Sequence, residues 1–280
     1  MSKSIYLADL VYNTIKTNYV TPLNIGYVAS FLKEKFGQEV DIKLFKYPDI
    51  LEKALIKSPP DILALSHYSW NARLDLLFLD LAKRLNPKTL TVMGGPNIRT
   101  APDDIKKFLT NHPNLDYYLI NEGEEPFSRL VGEILGGCDK PHPLGSAAII
   151  DGEFFYAEEP LDKRSMEINQ PSPYLTGWLD QFLADPNMIP LLETNRGCPY
   201  RCVYCAWGAM LPRIRVRPLE QVLEEIEYIG KKSAGQLTWI FCDSNFGILP
   251  RDLEIAKKVR EVMDKKGYPM NVTVWQSKNT

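Results

Sequence analysis

The sequence predicts an α/β protein with an N-terminal doubly wound five-stranded parallel sheet, followed by part of a βα barrel. Over the first 137 residues, short apolar runs alternate with amphipathic stretches, which is typical of a parallel sheet with helices on both faces. A second series of strand and helix patterns follows residue 186. The 280 residues also exceed one typical domain. We therefore expect domains at 1–137 and 187–280, joined by a connector at 138–186.

The sheet of the first domain is predicted from five apolar segments. They lie at 4–10, 39–45, 61–66, 89–93 and 116–121. Helix patterns separate them, and in the first of these helices Ile25, Val28, Ala29 and Leu32 share one face. The last helix is expected to begin at Pro126, and the glycines at 136 and 137 end it.

The connector is rich in proline and contains one predicted hairpin, 147–150 with 153–157, about Asp151-Gly152. Its aromatic residues, such as Tyr174 and Phe182, are expected to pack onto a neighbouring domain, because a free linker seldom carries so much apolar surface.

The second domain is predicted from three strands with helices between them. The strands lie at 188–194, 237–242 and 271–275, and the helices at 219–231 and 252–266. This makes about three βα units, whereas a closed or nearly closed barrel needs about six to eight. We therefore expect the barrel to be incomplete at Thr280.

The bulk composition argues against several classes of partner. The net charge of −2 gives no overall field for nucleic acid or an anionic membrane. The sequence contains no run of about 18 apolar residues and no signal-peptide core at its N-terminus, so we expect a cytoplasmic protein without membrane or nucleic-acid partners. Five cysteines, three of them close together, suit a metal site in a reducing compartment better than a disulfide framework.

The cysteine loop holds Cys198, Cys202 and Cys205, separated by three and then two residues, directly after an apolar strand. Three thiolates on a short loop can ligate three irons of a cubane cluster and leave the fourth iron open. Structural zinc sites use four ligands, and the next cysteine, Cys242, lies at the end of another strand. Zinc with Cys242 as fourth ligand, or a disulfide with one free thiol, are the alternatives.

With Tyr204 just before its last cysteine, this loop resembles the motif of the radical S-adenosylmethionine superfamily. The resemblance implies a [4Fe-4S] cluster on the three cysteines, whose open iron is chelated by the amino and carboxylate groups of S-adenosylmethionine. Reductive cleavage of that cofactor yields methionine and a 5'-deoxyadenosyl radical. The resemblance also places Arg196 beside the cluster and implies an electron donor of the flavodoxin or ferredoxin type.

Polar residues follow the second strand of this domain. Asp243 and Asn245 occupy the position where family members contact the methionine part of S-adenosylmethionine, and they are candidates to accept from its ammonium. An Asp-x-Asn turn is equally typical of a helix entry. We expect Cys242 to be a buried strand residue rather than a ligand.

In an open doubly wound sheet, ligands bind beyond the carboxyl ends of the strands. Two predicted loops at that edge combine hydrogen-bonding groups with glycines that let a large ring approach the backbone. Their candidate residues are Ser66, His67, Tyr68, Gly94, Gly95 and Pro96.

Three segments of the first domain, 21–27, 93–97 and 121–127, are similar to the Rossmann-like cobalamin-binding domain that precedes the radical domain in one large subfamily. The third segment adds Glu122 and Gly123 to the candidate site. The resemblance implies cobalamin as a further cofactor. An empty sheet domain used only for packing is the alternative.

The Asp-x-His-x-x-Gly motif that supplies a histidine to cobalt is absent, because none of the histidines at 67, 112 and 142 has an aspartate two residues before it. The lower face of cobalt is therefore expected to be open or near His67 or Tyr68. A lone histidine after a strand is more often a hydrogen-bonded structural residue.

Two charged runs receive structural interpretations. Glu122, Glu124 and Glu125 suit the first turn of a helix, where they complement its macrodipole. The basic run at 213, 215 and 217 is expected to be solvated rather than to bind a substrate anion.

The resemblance implies methyl transfer from methylcobalamin to an unactivated carbon of a small-molecule or peptide substrate. Radical rearrangement or cyclisation with the same cofactors is the first alternative. A non-catalytic cofactor-binding module is the second. The sequence indicates no catalytic side chain.

Overall fold

The computed structural model describes residues 2–14, 19–160, 164–200, 202–205 and 213–276. The chain divides into two compact units. The first comprises Met1–Asn18 and Asn24–Glu159, and the second comprises Tyr19–Leu23 and Pro160–Thr280. The first unit therefore extends beyond the predicted range of 1–137, because it takes in the hairpin that we placed in the connector.

The first unit alternates strands and helices along the chain. Its elements are β1 (Lys3–Ala8), α1 (Leu23–Phe36), β2 (Val40–Phe45), α2 (Pro48–Lys57), β3 (Ile62–Ser66), α3 (Ala72–Leu85), β4 (Leu90–Gly94), α4 (Pro102–Asn111), β5 (Tyr117–Leu119), α5 (Glu124–Leu135), β6 (Ser146–Ile150) and β7 (Glu153–Ala157). The five predicted parallel strands and the predicted hairpin are all present.

The described strands of this unit form a seven-stranded sheet in the order β2-β1-β3-β4-β5-β6-β7. The pairs among β1 to β5 are parallel, and the hairpin adds β6 and β7 antiparallel to them. The sheet is thus two strands wider than predicted. Alanines at 147 and 148, which are fully buried, let the hairpin pack closely at this edge.

The strand order reverses beside β1, because β2 lies on one side of it and β3 on the other. Such a switch point opens a crevice at the carboxyl ends of the strands. The loops that follow β1, β3 and β4 all emerge at this edge. Below it, Leu63, Leu65 and Met93 contribute to a buried apolar core.

The second unit contains shorter strands than predicted. Its elements are α6 (Asp180–Leu183), β8 (Leu191–Leu192), β9 (Asn195–Arg196), β10 (Arg215–Val216), α7 (Leu219–Lys232), β11 (Thr238–Phe241), α8 (Asp252–Lys266) and β12 (Asn271–Thr273). A parallel three-stranded sheet has the order β12-β11-β8, and β9 pairs antiparallel with β10.

Close helix packing and a buried hydrogen bond stabilise the second unit. A Cβ on Gly230 of α7 would lie 2.6 Å from Cγ1 of Val262, so only glycine permits this approach of α7 to α8. Tyr174 is fully buried, and its Oη donates to the carbonyl oxygen of Leu191 at 2.5 Å. The aromatic part of the connector therefore packs within this unit, as expected. Among the described residues, no helix combines the length and apolar character that a membrane span requires.

Candidate cofactor sites

His67 lies directly after β3 and is buried, with 1% of its surface exposed. Its Nδ1 lies 3.3 Å from Oδ2 of Asp75, and its Nε2 lies 3.1 Å from Nδ2 of Asn97. Burial and the charge of His112 lower the pKa of His67 to about 4. The imidazole is therefore neutral near pH 7, and both of its nitrogens lie close to polar protein groups, which fits the structural role that we considered for this residue.

Asp75 is the residue of this network that the sequence analysis missed. Burial, with the negative charge of Asp9, raises the pKa of Asp75 to about 9, so the carboxyl is neutral at pH 7. A signal was available, because Asp75 shares the buried face of α3 with Phe78, Leu79 and Ala82. A carboxylate at helical spacing within an apolar face predicts a buried partner.

Ser66 and Tyr68 are connected to the first turn of α1 by Asn24. The Asn24 amide donates to Ser66 Oγ at 2.8 Å and to Tyr68 Oη at 3.3 Å. The ring of Tyr68 stacks on Trp70 with 4.4 Å between centroids, and Trp70 is 44% exposed. Asn71 stabilises the loop, because its side chain accepts a hydrogen bond from the Tyr68 N–H and donates one to the Ser66 carbonyl oxygen. The loop thus presents an aromatic pair at the edge of the sheet.

The glycines at 94 and 95 lie at the end of β4, where the chain approaches neighbouring segments. Gly95 has φ +133°, and a Cβ there would lie 2.5 Å from the His67 carbonyl oxygen. A Cβ on Gly94 would lie 3.4 Å from Cβ of Leu119. The close approach of the His67 backbone therefore accounts for Gly95, whereas the contact at Gly94 is an ordinary van der Waals distance and does not require glycine. Pro96 is exposed in the same turn.

Glu122 and Gly123 lie between β5 and α5. Gly123 precedes the helix, and its carbonyl oxygen accepts from the Phe127 N–H at 3.0 Å. Glu124 and Glu125 occupy the first turn, as the macrodipole interpretation expects, whereas Glu122 precedes the helix and is partly exposed. The candidate residues after β3, β4 and β5 thus lie at one edge of the sheet.

In the cysteine loop, Cys198 is buried, Cys202 is exposed and Cys205 is partly exposed. The N–H of Cys205 donates to the Cys202 carbonyl oxygen at 3.0 Å, which closes a turn, and Tyr204 on that turn is 89% exposed. Residues 201 and 206–212, on either side of the turn, lie outside the described residues.

Within the part of the chain that the structure describes, no three Cys, His, Asp or Glu side chains are grouped for metal binding. The cluster ligands therefore stay a prediction. The chemistry of the donor set fits an iron–sulfur cluster, because all five cysteines are free thiols and three of them share this short loop. The disulfide alternative has no counterpart in the structure.

Asp243 is buried after β11 and accepts four hydrogen bonds. Oδ1 accepts from the N–H groups of Thr194 and Asn195, at 2.7 and 3.2 Å. Oδ2 accepts from Thr194 Oγ1 and Asn195 Nδ2, at 2.5 and 3.0 Å. Burial outweighs these bonds and raises the pKa of Asp243 to about 6. A carboxylate has about four acceptor positions, so this network occupies Asp243 without a cofactor ammonium.

Asn245 is also buried, and its Nδ2 lies 3.1 Å from Sγ of Cys198. In this structure it therefore donates to a cysteine of the loop. Cys242 differs from our expectation of a buried strand residue. It immediately follows β11 and is exposed, because the strand ends at Phe241.

A largely buried ionic cluster precedes the cysteine loop. Oε2 of Glu193 accepts from Nε of Arg196 at 2.9 Å and from Nη2 of Arg217 at 2.6 Å. Burial alone would raise the pKa of Glu193, but the two guanidiniums outweigh burial and lower it. Arg196 is thus held in place two residues before Cys198, and its position beside a cluster stays a prediction.

The expectation that the basic run is solvated is wrong for two of its three arginines. Arg217 is fully buried, and Arg215 is buried with its Nε donating to the Ser165 carbonyl oxygen at 2.8 Å. Arg213 is exposed, as expected. The reason is the pairing of β10 with β9, which brings Arg217 to Glu193.

A family model of the B12 binding domain matches residues 11–131. Two curated proteins are each 35% identical to the chain over 269 residues. They are the 2-(S-pantetheinyl)-carbapenam-3-carboxylate methyltransferase of Streptantibioticus cattleyicolor and the cobalamin-dependent radical SAM methyltransferase TokK of Streptomyces tokunonensis. Each match includes 92% of this chain and 39% of the relative, so the chain spans about two fifths of their length.

A solved structure shows the same fold. The cobalamin-dependent S-adenosylmethionine radical enzyme OxsB, with aqua-cobalamin and S-adenosylmethionine bound, superimposes with a TM-score of 0.68 at 23% identity. The match covers 97% of this chain and 38% of OxsB. The chain therefore contains a B12-binding domain and is a homologue of the cobalamin-dependent radical S-adenosylmethionine proteins.

Proposed function

We propose that the chain acts in cobalamin-dependent radical S-adenosylmethionine methyl transfer to an unactivated carbon. One observation carries this proposal. The similarity to two methyltransferases runs over 269 residues and includes both the B12-binding region and the cysteine loop. Rearrangement or cyclisation would use the same cofactors but would not add a carbon to the substrate.

The cysteine loop supplies the cluster ligands in this proposal. Cys198, Cys202 and Cys205 hold the [4Fe-4S] cluster, and Arg196 and Tyr204 flank it. When bound, the cluster supplies the electron that cleaves S-adenosylmethionine, and cobalamin carries the methyl group. Asp243 contributes by holding Thr194 and Asn195 to the end of β11, which sets the path of the chain into the loop. A flavodoxin- or ferredoxin-type protein in the cytoplasm is the proposed electron donor.

The edge of the first sheet supplies the cobalamin site. Ser66 and Gly94 end β3 and β4, and the loops that emerge at this edge contain Tyr68, Pro96, Glu122 and Gly123. His67 stabilises this edge from the protein interior, because both of its ring nitrogens lie within hydrogen-bonding distance of protein groups. Since this imidazole is already engaged, we propose that His67 does not ligate cobalt.

Anaerobic reconstitution with iron and sulfide tests the cluster assignment. We expect about four iron atoms per wild-type chain and loss of the cluster absorbance in Cys198→Ala, Cys202→Ala and Cys205→Ala. Cys138→Ala is the matched control, because this exposed cysteine belongs to the first unit and its loss leaves the iron content unchanged. Full iron content in any of the three loop variants would contradict the ligand assignment.

Addition of S-adenosylmethionine and dithionite to the loaded protein tests the radical step. We expect 5'-deoxyadenosine, measured by liquid chromatography with mass spectrometry. A cluster-loaded protein that yields none supports the binding-module alternative. With a substrate in hand, a product that carries one extra carbon identifies methyl transfer, whereas an isomeric product identifies rearrangement.

A further inference from the structure

Asn245 places a hydrogen-bond donor on the thiol of Cys198. Nδ2 lies 3.1 Å from Sγ, and the two residues expose only 6% and 9% of their surfaces. A carboxamide N–H is a donor, and a cysteine thiolate is an acceptor, so the contact is strongest in the thiolate that a metal requires. Few waters can compete for this sulfur, because both residues are buried.

The loop that carries Asn245 is secured on both sides. Two residues earlier, Asp243 accepts its four hydrogen bonds from Thr194 and Asn195. One residue later, the Phe246 N–H donates to the Trp275 carbonyl oxygen at 2.8 Å. The backbone on both sides of Asn245 is therefore held by hydrogen bonds, which restricts the position of its side chain.

The acceptor is anchored to the same pair of strands. Thr194 and Asn195, which Asp243 holds, lie shortly before Cys198 in the chain. The N–H of Cys242 also donates to the Leu192 carbonyl oxygen at 2.8 Å, which joins the end of β11 to β8. Asn245 and Cys198 are thus both positioned by the pairing of β8 with β11, which does not depend on a bound ligand.

Hydrogen bonds to ligand sulfurs are one of the means by which a protein sets the reduction potential of an iron–sulfur cluster. A donor stabilises the more negative state of the couple, which is the state that has accepted one electron. We propose that Asn245 is a positioning residue that orients the Cys198 thiolate and raises the reduction potential of the cluster. This inference rests on the proposed function, because it requires the cluster to be held by Cys198.

The test is the midpoint potential of the reconstituted protein, titrated with dithionite without S-adenosylmethionine and followed by electron paramagnetic resonance. Asn245→Leu keeps a similar volume and removes the donor, and Asn245→Ala removes the side chain. We expect the one-electron equilibrium constant to fall about tenfold in both, which is about 59 mV toward lower potential. Ser244→Ala, one residue earlier in the loop, is the matched control and keeps the wild-type potential.

The midpoint potential is independent of how much protein loads, so partly loaded variants still give a valid measurement. A wild-type potential in both Asn245 variants overturns the inference alone and leaves the proposed function intact. A wild-type protein that binds no cluster overturns both. If neither variant loads, the wild-type protein labelled with ¹⁵N-asparagine decides: a ¹⁵N hyperfine coupling in the reduced state supports the contact, and its absence overturns it.

Discussion

The regions after β3 and β8 both contain titratable groups with little exposure to solvent, but these groups differ in their charge at pH 7. After β3, His67 and Asp75 are both neutral at pH 7, because burial lowers the pKa of the imidazole to about 4 and raises that of the carboxyl to about 9. After β8, Glu193 stays charged, because the guanidiniums of Arg196 and Arg217 outweigh burial and lower its pKa. The two regions differ because guanidinium groups compensate the charge of Glu193, whereas burial dominates at His67 and Asp75.

This difference has consequences for what each loop can bind. The neutral network after β3 is satisfied by protein groups and supports the edge of the sheet from within. The charged cluster after β8 holds Arg196 beside a cysteine loop in which Cys202 is exposed and Cys205 is partly exposed. The first loop therefore supports the edge of the sheet, and the second carries the three cysteines that we propose as cluster ligands.

The largest expected effect is the pH dependence that Asp75 contributes. Between the unfolded pKa near 3.8 and the folded pKa of about 9, the folded state keeps a proton that the unfolded state has lost. The free energy of unfolding therefore decreases as pH rises, by up to about 1.4 kcal/mol per pH unit. Asp75→Asn cannot titrate, so its stability relative to wild type should improve by about 4 kcal/mol from pH 5 to pH 8.

Urea denaturation of the wild type and the variant at pH 5, 6.5 and 8 measures this difference. Asp80→Asn is the matched control, because Asp80 is exposed on the same helix. The pH dependence of Asp75→Asn is compared with that of this variant. A parallel profile for Asp75→Asn would show that Asp75 is ionised in the folded protein.

The next largest effect is expected from Arg217→Met, which removes one of the two cations that compensate Glu193. Loss of one partner of a buried ion pair costs about 3 kcal/mol, because the remaining charge stays buried. Denaturant unfolding of the second unit measures the change. Arg213→Met, at the exposed position of the same basic run, should change stability by less than about 0.5 kcal/mol. Equal effects of the two variants would refute the ionic cluster.

Gly95→Ala tests how tightly the loops after β3 and β4 approach each other. The substitution combines a φ of +133° with a contact of 2.5 Å to the His67 backbone, and we expect a loss of about 2 kcal/mol. Gly137→Ala is the control, since it has a φ of +83° with open space around it and should cost about 1 kcal/mol. Thermal unfolding of both variants measures the difference. If Gly95→Ala loses no more stability than Gly137→Ala, the loop after β3 can shift to accommodate the added methyl group.

The smallest effect is expected from Cys242→Ser. Cys242 follows β11 and is no member of the proposed ligand set, so the iron and zinc contents per chain should equal those of the wild type. Inductively coupled plasma mass spectrometry measures both metals. Loss of a bound metal in this variant would favour the zinc alternative, in which Cys242 is the fourth ligand.

Much of the architecture was predictable because it is encoded in local patterns. The apolar segment at 39–45 corresponds to β2 at Val40–Phe45, and the helix predicted at 252–266 corresponds to α8 at Asp252–Lys266. The hairpin about Asp151-Gly152 was also predicted, but not its place in the sheet. A turn signal and a strand period identify a hairpin, and they carry no information about which sheet edge accepts it.

The candidate site was less predictable, because solvation depends on partners that are distant in sequence. The basic run looked solvated by its alternating charges, yet Arg217 is buried against Glu193, 24 residues away. Asp75 was the exception, since its place on the apolar face of α3 was a readable signal of burial.

The sequence alone determined the order of strands and helices and the chemical type of the candidate ligands, since periodicity and the spacing of three cysteines are local properties. Only the tertiary structure decided which polar groups are neutral, charged or already engaged. Asn245 and Cys198 lie 47 residues apart, and they meet because parallel pairing of β8 with β11 brings the ends of two strands together. Burial and hydrogen bonding are set by such long-range contacts, and these decide the state of a titratable or ligating group.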